Sequence, residues 1–542
     1  MTSSRYILIA AVAVGLFGMI LGYAFKSRFL SSSPKPTKIV ENTLLGSIPG
    51  ITTSLPVSSG AQQAPMPPDP NAIPGERVLR FKNAADLQRF LDEARKRGIS
   101  ILGVIPGLRA VRVGASSDSA LAKLLEGVDT DQIGQNYLVS VPPRPNLTPN
   151  AKTPLLPFDQ NWIKAMGVNT VDPTWGRGIK VAVVDTGIDP SFTLTGAAIQ
   201  SIDLTAPGTA NGDSSGSHGT AVASLIAGEN NQFAGMAPGS SLLSVKVLNA
   251  SGEGDTFTVA EGIVQAVDAG SQVINLSLGS YGDSTVLQDA VAYAQEHGVA
   301  LVAAAGNDGV GQIAYPAGYP GVLAVGSVDA TLQPAYFSNY GSELGVLAPG
   351  VGLPAGQANN QAVSFSGTSA STATVSGALA AILSSDHTIT PTQAITLLEN
   401  YADDFGVPGW DAQSGYGTVD LGRVLERNTP NIVDGAINSQ IILSQNGPNQ
   451  IVSLGVTIQN RGTTTIWNGT LAVQVDGVPY SFPVQSLAPT KSEMKTVQIY
   501  PYQLASGQAI VNSQLSLPGM SDRNLSNNVM QSRLQVHSAA SK

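Results

Sequence analysis

Five short apolar runs between residues 179 and 328 restrict the fold of this chain more than any other feature. The runs IKVAVVDTG, SLLSVKVLN, SQVINLSLG, VALVAAAGN and GVLAVGSV are rich in Val, Ile, Leu and Ala and do not alternate apolar with polar residues. Alternation marks a strand with one wet face, so runs without it are strands covered on both faces, as in a parallel sheet. Helical stretches lie between them, among them HGTAVASLIAG, VAEGIVQAVDAG and STVLQDAVAYAQEHG. This alternation predicts an α/β, doubly wound parallel sheet over residues 155–427. Polar or glycine-rich turns follow several of the strands directly, where open sheets of this kind hold their sites.

The remaining sequence has other textures. Residues 430–537 carry short alternating segments, QIVSLGVTIQN and NGTLAVQVDGVPYSFPV among them, with an Asp476-Gly477 hairpin signal, and predict a β-sandwich. Residues 75–145 run in the order β-α-β-β-α-β, from ERVLRF through the helix NAADLQRFLDEARKRG to a last strand NYLVSVP, the order of a ferredoxin-like α+β domain. Residues 30–74 are rich in Ser, Pro, Thr and Gln and predict a linker. In residues 1–29, the stretch 6–25 has no charge and is long enough to cross about 30 Å of hydrocarbon, so it predicts a membrane anchor. A cleaved signal peptide, with Gly22-Tyr23-Ala24 as the small-x-small site, is the alternative. Lys26, Arg28, Lys35 and Lys38 follow it and would be drawn to the cytoplasmic side, which leaves orientation open.

Composition removes some functions. The net charge of −9 leaves no broad basic surface for a phosphate backbone, so nucleic acid is not an expected partner. With no cysteine, disulfides, thiol catalysis and Cys-based zinc sites are excluded.

Four polar residues in the α/β segment carry chemistry when taken together. His218, in GSHGTAVASLIAG, stands at the mouth of a small-residue helix, and Asp185, in VAVVDTGID, ends a buried strand. Either alone serves equally as a cap or turn residue. Ser369, in SFSGTSASTATVSGALAAIL, begins a helix of small residues, where Ser366 and Thr368 are also N-cap candidates. Asn307, in VAAAGNDG, lies on a glycine-rich turn after another strand. A serine hydroxyl needs a base, the base needs an orienting group, and the developing oxyanion needs donors. Ser, His, Asp and Asn match those roles in turn. The three other histidines, His297, His387 and His537, lie at a helix end, in a turn and in the C-terminal tail.

In the order Asp, His, Asn, Ser these strings resemble the subtilisin family, over about residues 160–427. The resemblance implies a serine endopeptidase in which Asp185 orients His218, His218 deprotonates Ser369, and Asn307 with the Ser369 amide binds the oxyanion. It implies that Ser277, Leu278 and Gly279, and Gly252, Glu253 and Gly254, bind substrate backbone as flanking strands. Asp255 and Glu253 beside that edge hint at tolerance for basic residues. Residues 75–145 look like the family's inhibitory propeptide, which implies a zymogen that cuts itself between about Ser140 and Asn161. The precursor is then membrane-anchored and faces outside the cytoplasm, or the enzyme is secreted after processing. Its partners are polypeptide substrates, its own propeptide and the membrane through residues 6–25. No cofactor is required; structural calcium is compatible with the family, but no clear ligand string supports it.

Two departures stand out. The family usually shows Met-Ala-x-Pro after the nucleophile, where this chain has Ala370-Ser371-Thr372-Ala373, and SGTSAS is similar to the sedolisin variant. His218 and Asn307 keep the subtilisin assignment, since sedolisins use Glu and Asp there. The C-terminal strings VTIQNRGTTT and SDRNLSNNVMQSRLQV resemble CARDB modules, with a generic sandwich as the alternative. Two other classes fit the sequence less well. An α/β-hydrolase needs a glycine two residues after its serine, where this chain has Ser371, and needs Asp and His downstream. A binding protein with the same fold would have lost its chemistry.

Overall fold

The computed structural model describes residues 71–147, 154–205, 216–230, 232–445, 451–500, 503 and 508–535. The apolar stretch 6–25 and most of the linker lie outside these. Among the described residues no helix is long and apolar enough to cross a membrane.

The N-terminal part is a four-stranded antiparallel sheet. Its strands are β1 (Glu76–Arg80), β2 (Ser100–Ile105), β3 (Ala110–Gly114) and β4 (Gln132–Gly134), in the order β2-β3-β1-β4. Helices α1 (Ala84–Arg97) and α2 (Asp118–Leu125) complete the ferredoxin-like order. Asn83 caps α1 by accepting from the Asp86 N–H at 2.9 Å. Leu79, Phe81, Phe90, Val111, Val113 and Leu121 form its own core.

The last strand corrects the sequence reading. NYLVSVP is not the fourth strand of this sheet; that place belongs to β4, whose Gln-Ile-Gly sequence has too little apolar character to announce itself. The NYLVSVP segment instead forms β5 (Leu138–Ser140) and pairs with residues 253–255 of the α/β domain. The pin is Asn136, fully buried. Its Nδ2 donates to Glu76 Oε2 (2.8 Å) and Asp255 Oδ1 (3.1 Å), while its Oδ1 accepts from Thr256 Oγ1 (2.9 Å) and the Phe257 N–H (3.0 Å). Val139 is then buried in the α/β core, which contributes roughly 1.5–3 kcal/mol, and Leu138 is left exposed.

The α/β domain is built on seven parallel strands: β6 (Lys180–Asp185), β7 (Ile199–Asp203), β8 (Ser241–Lys246), β10 (Val273–Leu276), β11 (Ala300–Ala304), β12 (Leu323–Val328) and β13 (Leu344–Pro349). The short β9 (Glu253–Asp255) is the one that pairs with β5. Sheet order is β13-β12-β11-β10-β6-β8-β7. All five non-alternating runs are strands here, covered on both faces as their composition requires. The covering helices include α3 (Gly216–Ala227), α4 (Thr256–Asp268), α5 (Thr285–Glu296) and α6 (Thr368–Ser385). A hairpin of β14 (Leu353–Gly356) and β15 (Ala362–Phe365) precedes α6.

Helix α6 is buried from Thr368 to Leu383, and its small side chains let it lie close to the sheet. Its hydroxyls are satisfied internally: Thr372 Oγ1 donates to Thr368 O (2.7 Å), Thr374 Oγ1 to Ser371 O (2.8 Å) and Ser371 Oγ to Ala348 O (3.0 Å). Ala370-Ser371-Thr372-Ala373 therefore continues a regular helix where the family's proline would stand.

The N-terminal sheet packs on α4 and α5. Arg112 pairs with Asp255 (2.7 Å) and lies over the Phe257 ring, and Arg80 pairs with Asp289 (2.8 Å). Asp255 also caps α4, so it is engaged by both the N-terminal sheet and its own helix.

Two antiparallel sheets end the described chain, Gly435–Gln445, Val452–Asn460 and Ser492–Ile499 in one, Ile466–Val475, Val478–Leu487, Gln508–Ser516 and Val529–Gln535 in the other. Their inner faces share one apolar core, that of a β-sandwich. It is fastened to the α/β domain by polar contacts: Gln459 Nε2 donates to Ala402 O (2.9 Å), Asn438 Nδ2 to Asp404 O (2.7 Å) and Arg461 Nη1 pairs with Asp403 Oδ2 (2.9 Å). Asp404 sits in this joint, 5% exposed, with Oδ2 accepting from the Gly409 N–H at 2.8 Å. Burial, with Asp411 and Asp403 nearby, raises its pKa against the effect of that bond. A carboxyl raised in the folded state favours the proton there, so stability falls as pH climbs through and above the ordinary carboxylate range. Asn in its place keeps the acceptor without the charge. Asp404→Asn is therefore expected to raise Tm at about pH 8, with the gain shrinking toward about pH 4. Thermal melts at both values check this; a gain confined to acid pH contradicts it.

Candidate active site

Asp185 is the last residue of β6 and is fully buried. Its carboxylate receives the Thr186 N–H at 2.7 Å and faces His218 Nδ1 at 2.9 and 3.0 Å through its two oxygens. A carboxylate so held keeps the imidazole N–H on Nδ1 and leaves Nε2 free to accept a proton. His218 lies in the first turn of α3. The helix is seated by Thr186 Oγ1, which accepts from the Gly219 N–H (3.1 Å), and by Thr220 Oγ1, which accepts from the Asp189 N–H (2.9 Å). Glycine after the histidine is a steric need: a Cβ at Gly219 would stand 2.2 Å from Gly187 O. The His218 ring is 16% exposed and meets Phe365 edge to face, with centroids 5.3 Å apart.

Ser369 opens α6, 3% exposed. Its hydroxyl donates to Ser277 O at 3.4 Å and not to His218, so it must rotate before it can pass its proton to the ring. The turn before it places Asn307. Asn307 Oδ1 accepts from the Thr368 N–H (2.9 Å) and Thr368 Oγ1 (2.8 Å), which fixes the amide and aims Nδ2 into the cleft. Gly367, at φ 129°, makes room for it, since a Cβ there would come 2.8 Å from Asn307 Nδ2.

The cleft is filled by the chain's own residues. Ser140 and Gly279 exchange two backbone bonds, at 3.0 and 2.9 Å, and the Val141 N–H donates to Gly252 O at 2.9 Å. β5 thus lies as an antiparallel strand between the segments 277–279 and 252–255, in the register Ser140–Glu253, Val139–Gly254, Leu138–Asp255. Asn307 Nδ2 donates to the Pro143 carbonyl at 2.9 Å. Beyond Pro143 the chain passes His218: Arg144, Pro145 and Leu147 line a cavity of about 120 Å³ with His218, Val363 and Phe365.

Asp185 and His218 are thus brought together, Asn307 and Ser369 meet across Thr368, and Ser277 to Gly279 with Gly252 to Gly254 form the walls of the cleft. Sequence reasoning missed Thr368, Phe365 and the partners of Ser277 within the core; only Thr368, beside the nucleophile, carried a signal. Among the described residues no group of three or more His, Asp or Glu side chains could hold a metal ion.

The sequence profile of the subtilase family matches residues 176–417. The chain is similar to subtilisin Savinase of Lederbergia lenta, 40% identical over 235 residues that cover 43% of this chain and 86% of that protein. It is similar to an alkaline protease of Alkalihalobacillus alcalophilus, 40% identical over 235 residues, covering 43% of this chain and 60% of that one. Subtilisin NAT of Bacillus subtilis subsp. natto is 37% identical over 289 residues, 52% of this chain and 70% of the relative.

Proposed function

The chain belongs to the subtilase family and is a serine endopeptidase, and from that premise we propose that it is made as a precursor that cuts itself at the Pro143–Arg144 bond. Ser369 attacks the carbonyl carbon while His218 Nε2 takes its proton. The negative oxygen forms against Asn307 Nδ2 and the Ser369 N–H, and His218 then protonates the leaving nitrogen. Water deacylates Ser369 by the same route. Asp185 keeps the ring oriented and offsets the charge of the imidazolium. Only side chains, backbone and water take part.

The single observation that carries the reading is the Asn307 bond to the Pro143 carbonyl in a strand already paired with both cleft walls. The chemistry of the neighbouring bonds agrees. Pro142–Pro143 and Arg144–Pro145 have proline on the leaving side, with its ring on the departing nitrogen. Pro143–Arg144 is the ordinary secondary amide between them.

The 75–145 domain, up to the cut after residue 143, is then an inhibitory propeptide and 155–427 the protease. Residues 430–537, a spacer or binding module, remain with the mature enzyme. The apolar stretch 6–25 would tether the precursor outside the cytoplasm, and scission after residue 143 would leave it on the propeptide side and free the protease. Expression of the wild-type chain followed by N-terminal sequencing tests this: the mature species is expected to begin at Arg144 and to leave the membrane fraction. A mature species beginning elsewhere overturns the assigned bond, and one that stays in the membrane overturns release. Fluorophosphonate labelling of the processed protein at Ser369 separates the protease from a binding protein of the same fold; a folded protein without label favours the latter.

A further inference from the structure

Behind the cleft wall a line of polar groups runs into the core. Ser376 Oγ donates to Asn275 Oδ1 at 3.0 Å, Asn275 Nδ2 donates to Ser277 Oγ at 2.9 Å, and Ser277 Oγ donates to the Ser369 carbonyl at 3.1 Å. Asn275, Ser277 and Ser376 are all fully buried. Every donor in the line is directed the same way, from the third turn of α6, through the end of β10 and the cleft wall, back to the first turn of α6. An isolated polar group at such depth costs about 1–3 kcal/mol, whereas a fully satisfied chain of them specifies one arrangement.

The line has two ends of consequence. Ser277 begins the wall whose Gly279 pairs with Ser140, and the main-chain oxygen of Ser277 is the resting acceptor of the Ser369 hydroxyl. The distance between substrate strand and nucleophile is therefore set where Ser277 meets α6, and Asn275 holds Ser277 there. We propose that Asn275 and Ser376 are positioning residues for the reaction at Ser369: acting through Ser277, they fix the cleft wall against the helix that carries the nucleophile. Asn275 suits this task because its amide accepts from one hydroxyl and donates to the other. A reacting pair displaced by about 1 Å loses on the order of 10²-fold in rate. The proposal rests on the reading of Ser369 as nucleophile.

The test uses processed enzyme and three measurements, kcat and KM on a peptide substrate and the rate of fluorophosphonate inactivation. In Asn275→Ala, kcat and inactivation rate are expected to fall together by about 10- to 100-fold, with KM changing by less than about threefold. Ser376→Ala, which leaves Asn275 Oδ1 without its donor, is expected to lose about three- to tenfold in the same two quantities, and Ser376→Thr, which keeps the hydroxyl, to recover them. The two Ser376 variants decide the matter if Asn275→Ala fails to fold. A folded variant with unchanged kcat, a rise in KM alone, or equal losses in Ser376→Ala and Ser376→Thr overturns the proposal. Failure of the wild-type enzyme to label at Ser369 instead overturns the nucleophile on which it rests.

Discussion

Ser369→Ala is expected to give a single uncut precursor with peptide hydrolysis reduced by about 10⁶-fold, the loss that removal of the serine causes in a subtilisin. The substitution should not disturb the fold. The hydroxyl makes one long bond, 3.4 Å to Ser277 O, and alanine suits the helix start that Gly367 and Thr368 already define. Loss of processing can then be assigned to chemistry. With no scission, residues 138–147 stay threaded through the cleft, so the variant is blocked as well as disarmed, and the apolar N-terminal stretch remains joined to the protease. Purified variant and wild type, followed over time by electrophoresis and by fractionation of membranes, give the readout. Cleavage of purified Ser369→Ala at the wild-type rate would mean that another group does the cutting.

How far the sequence foretold this molecule depends on whether a feature has a local pattern. β6, β8, β10, β11 and β12 were legible because burial on both faces leaves runs without alternation. Asp185, His218, Asn307 and Ser369 were legible as a set, since each falls where a strand gives way to a turn or helix, and the four share an order. The path of residues 135–147 was not. LVSV reads as a strand wherever it pairs, and its partner is chosen by Asn136, whose four bonds join residues 76, 255, 256 and 257. Such a choice is made by tertiary contacts and leaves no local trace. Asn275 and Ser376 were hidden for a related reason. A serine in a small-residue helix looks like any other until the strand across from it is known. The joint with the sandwich was equally silent, being made of single polar residues such as Gln459 and Asn438 that meet backbone carbonyls of residues 402 and 404.

Asn307 has two functions that a single isosteric change can separate. Its Oδ1 holds the N–H and hydroxyl of Thr368, which seats the start of α6, and its Nδ2 donates to the Pro143 carbonyl. Asn307→Asp keeps an acceptor for Thr368 but turns an oxygen, in place of a donor, toward the carbonyl that must become negative. Asn307→Ala removes both functions. If the oxyanion bond is the one that matters, Asp is expected to be at least as damaging as Ala, with kcat lowered by about 10²- to 10³-fold, the size of loss known for the corresponding donor of a subtilisin. KM should change little, because the bond strengthens as charge develops and adds less to ground-state binding. Thr368→Val, which loses the hydroxyl bond to Asn307 and the acceptor for the Gly306 N–H (3.3 Å) but keeps the Thr368 N–H on Asn307 Oδ1, should cost far less. Kinetics on the processed enzymes decide the point, with processing rate of the precursors as a second readout. A near-normal kcat in Asn307→Asp would assign this asparagine to the seating of α6 and leave the Ser369 N–H as the oxyanion donor.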